Sequence, residues 1–138
     1  MNISKFTQKS VQAVQDLEKV AYEYGNQEIE QEHLLYTLLT QEDSLILKLI
    51  EKMEINKEYF LNTVKNALDA KVKVSGGELR FGQYLNKALV NAEDEAKAMG
   101  DEYVSVEHLF LALLKYPSPS MKKIWSEFGI TKERFLTA

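Results

Sequence analysis

Residues 25–35, Gly-Asn-Gln-Glu-Ile-Glu-Gln-Glu-His-Leu-Leu, return 75 positions later as residues 100–110, Gly-Asp-Glu-Tyr-Val-Ser-Val-Glu-His-Leu-Phe. Gly25 falls on Gly100 and Glu32-His33-Leu34 on Glu107-His108-Leu109. Outward from this stretch the same offset places Phe6 on Phe81, Ala21 on Ala96, Ile55 on Ile130 and Phe60 on Phe135 without a gap. Between residues 6–61 and 81–136, 17 of 56 pairs are identical, and they are spread along the match rather than packed into one apolar run. That pattern marks internal duplication, which decides the architecture before any local reading. The expected fold class is all-α: an eight-helix bundle of two tandem four-helix repeats related by a pseudo-two-fold axis. Residues 1–138 form one domain, with repeat one at 1–70, a linker at 71–80 and repeat two at 81–138. Two non-identical halves also make a groove where they meet.

Each repeat reads as four helices. The first runs from an N-cap at Thr7 to about Tyr24, with Val14, Leu17, Ala21 and Tyr24 at helical spacing and Gly25 as its left-handed stop. Its copy runs from about Gln83 to Met99 with Leu85, Ala88, Leu89, Ala92, Ala96 and Met99 as the buried stripe, Gly82 as a weak cap and Gly100 as the stop. The second helices, near 31–40 and 106–115, are apolar on most sides. Leu34, Leu35, Leu38, Leu39, Leu109, Phe110, Leu113 and Leu114 are expected to form the central core, each burial worth roughly 1.5–3 kcal/mol. The third helices begin near Ser44 and Pro119, and set Leu45, Leu49, Ile50 and Met53 opposite Met121, Ile124, Trp125 and Phe128. The fourth starts at an Asn56 cap and reaches about Ala70. Its copy, capped by Thr131, meets the end of the sequence at Ala138, so the last helix is expected to be truncated and the chain to be the N-terminal piece of a longer protein. Ser75-Gly76-Gly77 makes the crossing between repeats flexible and non-helical.

Composition narrows the functional classes. The chain has 138 residues and no cysteine, which excludes disulfides, thiolate metal sites and cysteine nucleophiles. A net charge of -4 with interspersed signs argues against nucleic-acid binding, which calls for a clustered Lys/Arg face. The N-terminal MNISKFTQKS lacks the apolar core of a signal peptide, and the longest apolar run, Leu109 to Leu114, is too short to span a bilayer. A cytoplasmic protein with no membrane partner is expected. No phosphate loop, HExxH or GxSxG motif is present, so no catalytic or cofactor site is expected within these residues.

His33 and His108 are the obvious candidates for a metal-dependent helical enzyme, but each is alone on its helix and no spacing signals further ligands. The competing expectation is that each imidazole packs at a helix start, neutral, and bonds a nearby backbone group. Glu32 and Glu107 stand in first helical turns, where the dipole stabilises a carboxylate by about 0.3–1 kcal/mol. Either that suffices, or they accept a cationic or amide group from a bound peptide beside the inter-repeat groove. Asp101 lies in the same loop-to-helix corner as Glu107. Thr7 is a helix cap whose hydroxyl also sits at an exposed helix start.

Phe6-Thr7, Gly25, Glu32-His33-Leu34-Leu35 and the second copy from Gly100 to Leu109 resemble the N-terminal repeat domain of the Clp chaperones. The resemblance covers essentially the whole chain, and Lys73-Val74-Ser75-Gly76-Gly77 with Gly100–Leu109 is most similar to the ClpB, or disaggregase, branch. It implies a client-binding domain, monomeric as a fragment, on a homo-hexameric two-ring AAA+ parent that uses ATP and magnesium. Such a parent extracts and threads unfolded or aggregated polypeptide together with the DnaK system. By the same resemblance, Thr7, Asp101 and Glu107 lie on the client-binding surface. The related ClpC and ClpA branches imply the alternative, a docking domain for adaptors or degrons, in which Glu32 and Glu107 read phosphoarginine. Two departures stand out: Gly82 replaces a polar cap, and Asn91 and Glu95 fall on a helix that is more apolar in the family.

Overall fold

The structure, a computed structural model, describes residues 3–138; Met1 and Asn2 of repeat one lie outside the described residues. Repeat one contains α1 (Gln8–Gln15), α2 (Leu17–Glu23), β1 (Glu28–Ile29), α3 (Gln31–Thr40), α4 (Leu45–Lys52) and α5 (Lys57–Asp69). Repeat two contains β2 (Arg80–Phe81), α6 (Gln83–Ala98), α7 (Val106–Lys115), α8 (Pro119–Phe128) and α9 (Lys132–Leu136). The eight expected helices are all present, the first broken in two at Asp16, where ψ relaxes to -9° although Val20 N–H still bonds the Asp16 carbonyl at 3.0 Å.

The caps follow the sequence chemistry. Thr7, Ser44, Asn56, Ser118 and Thr131 each accept a backbone N–H with the side-chain oxygen. Gly25 and Gly100 take φ of 71° and 73°, and the residue after each donates its N–H to a carbonyl five positions back, Asn26 to Ala21 and Asp101 to Ala96, at 2.9 Å in both cases. This is the Schellman closure, and the left-handed position in it favours glycine.

The two repeats exchange strand partners. Ile29 of β1 pairs in parallel with Phe81 of β2, while Val104 pairs in parallel with Phe6. Under the 75-residue offset each pair maps onto the other, with Gly82 N–H donating to the Ile29 carbonyl at 2.8 Å and Thr7 N–H to the Val104 carbonyl at 2.9 Å. That reciprocity is the pseudo-two-fold axis in hydrogen bonds. At Gly82 a Cβ would stand 3.3 Å from the Ile29 carbonyl and 2.8 Å from Glu28 Oε1, the movable end of a side chain.

Helices α3 and α7 lie against each other at the centre, each also packed on the first helices of both repeats. They are buried on almost every side, as an all-round apolar helix must be. Around them, Phe110 meets Trp125 edge-on at 5.3 Å and stacks on Phe135 at 4.5 Å, while Phe60 meets Phe128 at 4.9 Å.

The expected core needs corrections, Phe128 on α8 being only half-buried. On α4 the buried positions are Ile46 and Ile50, followed by Met53 at the C-cap, whereas Leu45 is 41% exposed and Leu49 half-buried. The run Leu-Ile-Leu-Lys-Leu-Ile is apolar at nearly every position, so periodicity leaves its buried face open. Met99 serves as a C-cap and is exposed. Leu114 is half-buried, not central. The crossing at 71–80 is non-helical as expected but tied down: Val74 N–H bonds the Gly25 carbonyl at 2.8 Å, Asn26 Nδ2 the Val72 carbonyl at 3.0 Å, and Lys73 Nζ the Tyr24 carbonyl at 2.6 Å.

Candidate functional site

The start of α1 and the start of α7 meet through the Thr7–Val104 bond, reinforced by Ser10 Oγ–H donating to the same Val104 carbonyl at 2.7 Å. A cleft of about 410 Å³ opens beside this junction, lined by Thr7, Gln8, Lys9, the turn from Gln41 to Leu45, and Ser105, Val106 and Glu107. Leu45 and Val106 give it apolar walls. Lys9 Nζ donates to the Glu42 carbonyl at 2.9 Å and Gln41 Nε2 to the Lys9 carbonyl at 2.9 Å, so the α3–α4 turn is fixed to α1. Asp43, at φ 56°, is paired with Lys48, which holds its carboxyl below the usual range. Glu107, partly exposed in the first turn of α7, has no hydrogen-bond or ion-pair partner among the described residues. The cleft therefore joins apolar contact to an unengaged carboxylate. Such a carboxylate can accept N–H groups from a cationic or amide donor.

The pseudo-symmetric counterpart has a different interior. A cleft of about 440 Å³ is lined by Gly82, Gln83, Tyr84, Glu30, Gln31 and Ser118 together with neighbours on β1 and β2. Gln31, where the other cleft has Val106, spans it: Nε2 donates to the carbonyls of Tyr84 at 3.0 Å and Tyr116 at 2.8 Å, and Oε1 accepts from Ser118 N–H at 2.9 Å.

Glu32 is internal. It is 1% exposed, its Oε2 accepting from Ser120 Oγ at 2.5 Å and Lys71 Nζ at 3.2 Å, while Lys71 also binds Glu30 at 2.9 Å. Burial works against the Lys71 charge, yet Glu32 and Glu30 outweigh it and raise the ammonium above its ordinary range. Of the two expectations for Glu32, a first-turn carboxylate held by the dipole or an acceptor open to a peptide, the structure shows a buried first-turn carboxylate covered by Lys71 of the crossing segment and Ser120 of α8. Lys71 and Ser120 both engage Oε2, while Oε1 is buried without a hydrogen-bond partner among the described residues.

Asp101 is exposed but does not line the Thr7–Glu107 cleft. Its Oδ2 lies 2.8 Å from His108 Nε2. His108 Nδ1 accepts from Ser105 N–H at 2.9 Å, so Nε2 carries the hydrogen and donates to Asp101. His33 repeats the device: Nδ1 accepts from Glu30 N–H at 2.8 Å and Nε2 faces Asn26 Oδ1 at 2.9 Å. Burial first, then Lys71, pushes the His33 imidazole down to about 4, so it is neutral at physiological pH. Both rings close the turn before a central helix, one held by an amide and the other by a carboxylate. Among the described residues no group of three or more His, Cys, Asp and Glu is placed to hold a metal ion. No helix among them is long and apolar enough to cross a membrane.

Of the four residues expected on the client-binding surface, the fold brings Thr7 and Glu107 to one cleft and leaves Asp101 and Glu32 outside it. Sequence reasoning misses Gln31, Lys71 and Ser120, which decide the fate of Glu32, and Leu45, which it assigns to the core.

Residues 5–128 match the Clp repeat (R) N-terminal domain family. The chain belongs to that family. It is 38% identical over 142 residues, 99% of its length, to the chaperone protein ClpB of Nitratidesulfovibrio vulgaris, and spans 16% of that relative. Its fold matches the Hsp104 N-terminal domain of Candida albicans with a TM-score of 0.83, 22% identity, and coverage of 97% of this chain and 88% of the other. It also matches the ClpV N-domain solved in complex with a VipB peptide, with a TM-score of 0.70, 19% identity, and coverage of 91% and 80%. The chain is thus a Clp N-terminal domain of the kind found in ClpB chaperones.

Proposed function

We propose that this Clp N-domain is the client-capture module of a ClpB-type disaggregase, holding unfolded or aggregated polypeptide at the Thr7–Glu107 cleft. The observation that carries this reading is Glu107, a carboxylate without a partner beside the apolar walls of Leu45 and Val106 at the junction of the repeats. Two further facts support it: curated relatives of high coverage are ClpB chaperones, and a domain of the same fold has been solved with a peptide bound. The parent supplies ATP hydrolysis with magnesium, threading through a homo-hexameric ring, cooperation with DnaK and a cytoplasmic setting. Binding to one domain is weak, and six tethered copies compensate by raising effective concentration while each segment remains free to leave for the pore. Asp101 acts at one remove, orienting the turn before α7 through His108.

Isotope-edited NMR of the domain titrated with reduced, denatured casein tests the reading. Shifts are expected on Thr7, Leu45, Val106 and Glu107. Glu107→Ala should leave the folded spectrum intact and weaken capture several-fold. Equal binding by the variant and the wild type removes Glu107 from the site, and no shifts at near-millimolar casein remove the client-binding role.

A further inference from the structure

A second apolar hollow, of about 500 Å³, lies on the far part of repeat two, walled by Leu114, Pro117, Trp125 and Ile130. Its lining charges are Lys115, Lys122 and Lys132, with no carboxylate among the lining residues, although the chain as a whole carries a charge of -4. Lys115 is loosely shared with Glu95, 3.9 Å away, and with the ring of Tyr116. Lys122 and Lys132 are exposed and have no partner among the described residues.

The internal duplication explains the hollow. Lys122 occupies the position of Leu47, a half-buried side chain packed against the core of repeat one. Leu114 occupies the position of Leu39, which is 1% exposed, yet Leu114 itself is only half-buried. In repeat one the chain supplies its own apolar cover; in repeat two a lysine stands in that place and an apolar wall is left open. Burying one leucine-sized side chain there is favourable, and the lysines determine what charge can accompany it.

We propose that this hollow is a docking site for an acidic peptide segment that inserts one large aliphatic side chain against Leu114 and Trp125 while its carboxylates meet Lys122 and Lys132. The site is separate from the Thr7–Glu107 cleft, so neither reading stands or falls with the other. Its partner is opposite in charge to one recognised by Glu107.

Trp125 is the single tryptophan of the chain, its indole N–H donating to the Leu113 carbonyl at 3.1 Å, so the site carries its own fluorescent reporter. The probe is a capped hexapeptide with one leucine flanked by aspartates and glutamates, compared with a counterpart in which lysines replace the acidic residues. A saturable change in Trp125 emission with the acidic peptide only, weakened at least tenfold by Lys122→Glu with Lys132→Glu, is the expected result. Both substitutions are at exposed positions, and circular dichroism checks that the fold is retained; should it not be, the salt dependence of binding to the wild type provides the same test. Equal responses to the two peptides, no saturation up to millimolar peptide, or binding indifferent to salt and charge reversal would overturn the proposal. So would an emission change that follows protein concentration alone with a dimer in sedimentation, since a second copy would then be the occupant.

Discussion

Glu32 and Glu107 occupy the same position in two copies of one unit, each in the first turn of a central helix and each followed by a capping histidine. One is buried under a lysine and a serine; the other stands open in a cleft. The difference lies in what surrounds them. Gln31 bridges three backbone groups across its cleft, whereas Val106, its counterpart, can make no such bridge. The crossing between repeats passes over α3 and drops Lys71 onto Glu32. Duplication supplied two equivalent carboxylates, and asymmetric neighbours turned one into a buried ion pair and left the other without a partner among the described residues.

The largest effect should come from separating the buried pair. Lys71→Met leaves the Glu32 charge in a nearly solvent-free site with only Ser120 as donor, and removing one partner of a buried pair costs about 3–5 kcal/mol. Chemical denaturation at neutral pH should show a loss of that order, while Glu107→Gln stays within about 0.5 kcal/mol of the wild type. Similar losses for both would mean that the two carboxylates are not differently employed.

Next in size is the pH response of His33. The folded-state value for His33 is about 4, against an ordinary 6.5, so the unfolded chain takes up its proton first as pH falls. The stability contributed by the neutral ring is fully present above 6.5 and is lost as pH falls toward 4, by about 2 kcal/mol at pH 5. In His33→Gln the slope of unfolding free energy between pH 6.5 and 5 should flatten. An unchanged slope would place the protonation elsewhere.

How far the sequence discloses all this follows from which features are periodic. The offset of 75 residues reveals the repeat, and with it the helices, the glycine stops and the Asn56 and Thr131 caps, because each depends on local chemistry that recurs. The face of α4 stays hidden because its apolar run fits several faces. Glu32 stays hidden because its burial depends on Lys71 and Ser120, 39 and 88 residues away, for which no local pattern exists. A usable signal is the mismatch between copies: Gln31 opposite Val106 and Leu47 opposite Lys122 both mark places where the halves diverge in packing.

The smallest expected effect on stability probes Thr7, whose counterpart is Gly82. Thr7 Oγ1 accepts from Ser10 N–H at 3.3 Å, a long capping bond, while the Thr7 backbone N–H holds Val104 whatever the side chain. Ser10 Oγ keeps the Val104 carbonyl as its own acceptor. Thr7→Gly therefore gives the first repeat the cap of the second and should cost only a few tenths of a kcal/mol, since glycine is itself an acceptable cap. Client capture provides the discriminating readout. If the hydroxyl serves only α1, thermal midpoint and casein binding both stay close to wild type; if it contacts the client beside Glu107, binding weakens while the midpoint hardly moves. The second outcome is expected, because Thr7 lines the cleft that holds the unpartnered Glu107, while Gly82 lines the one that Gln31 spans.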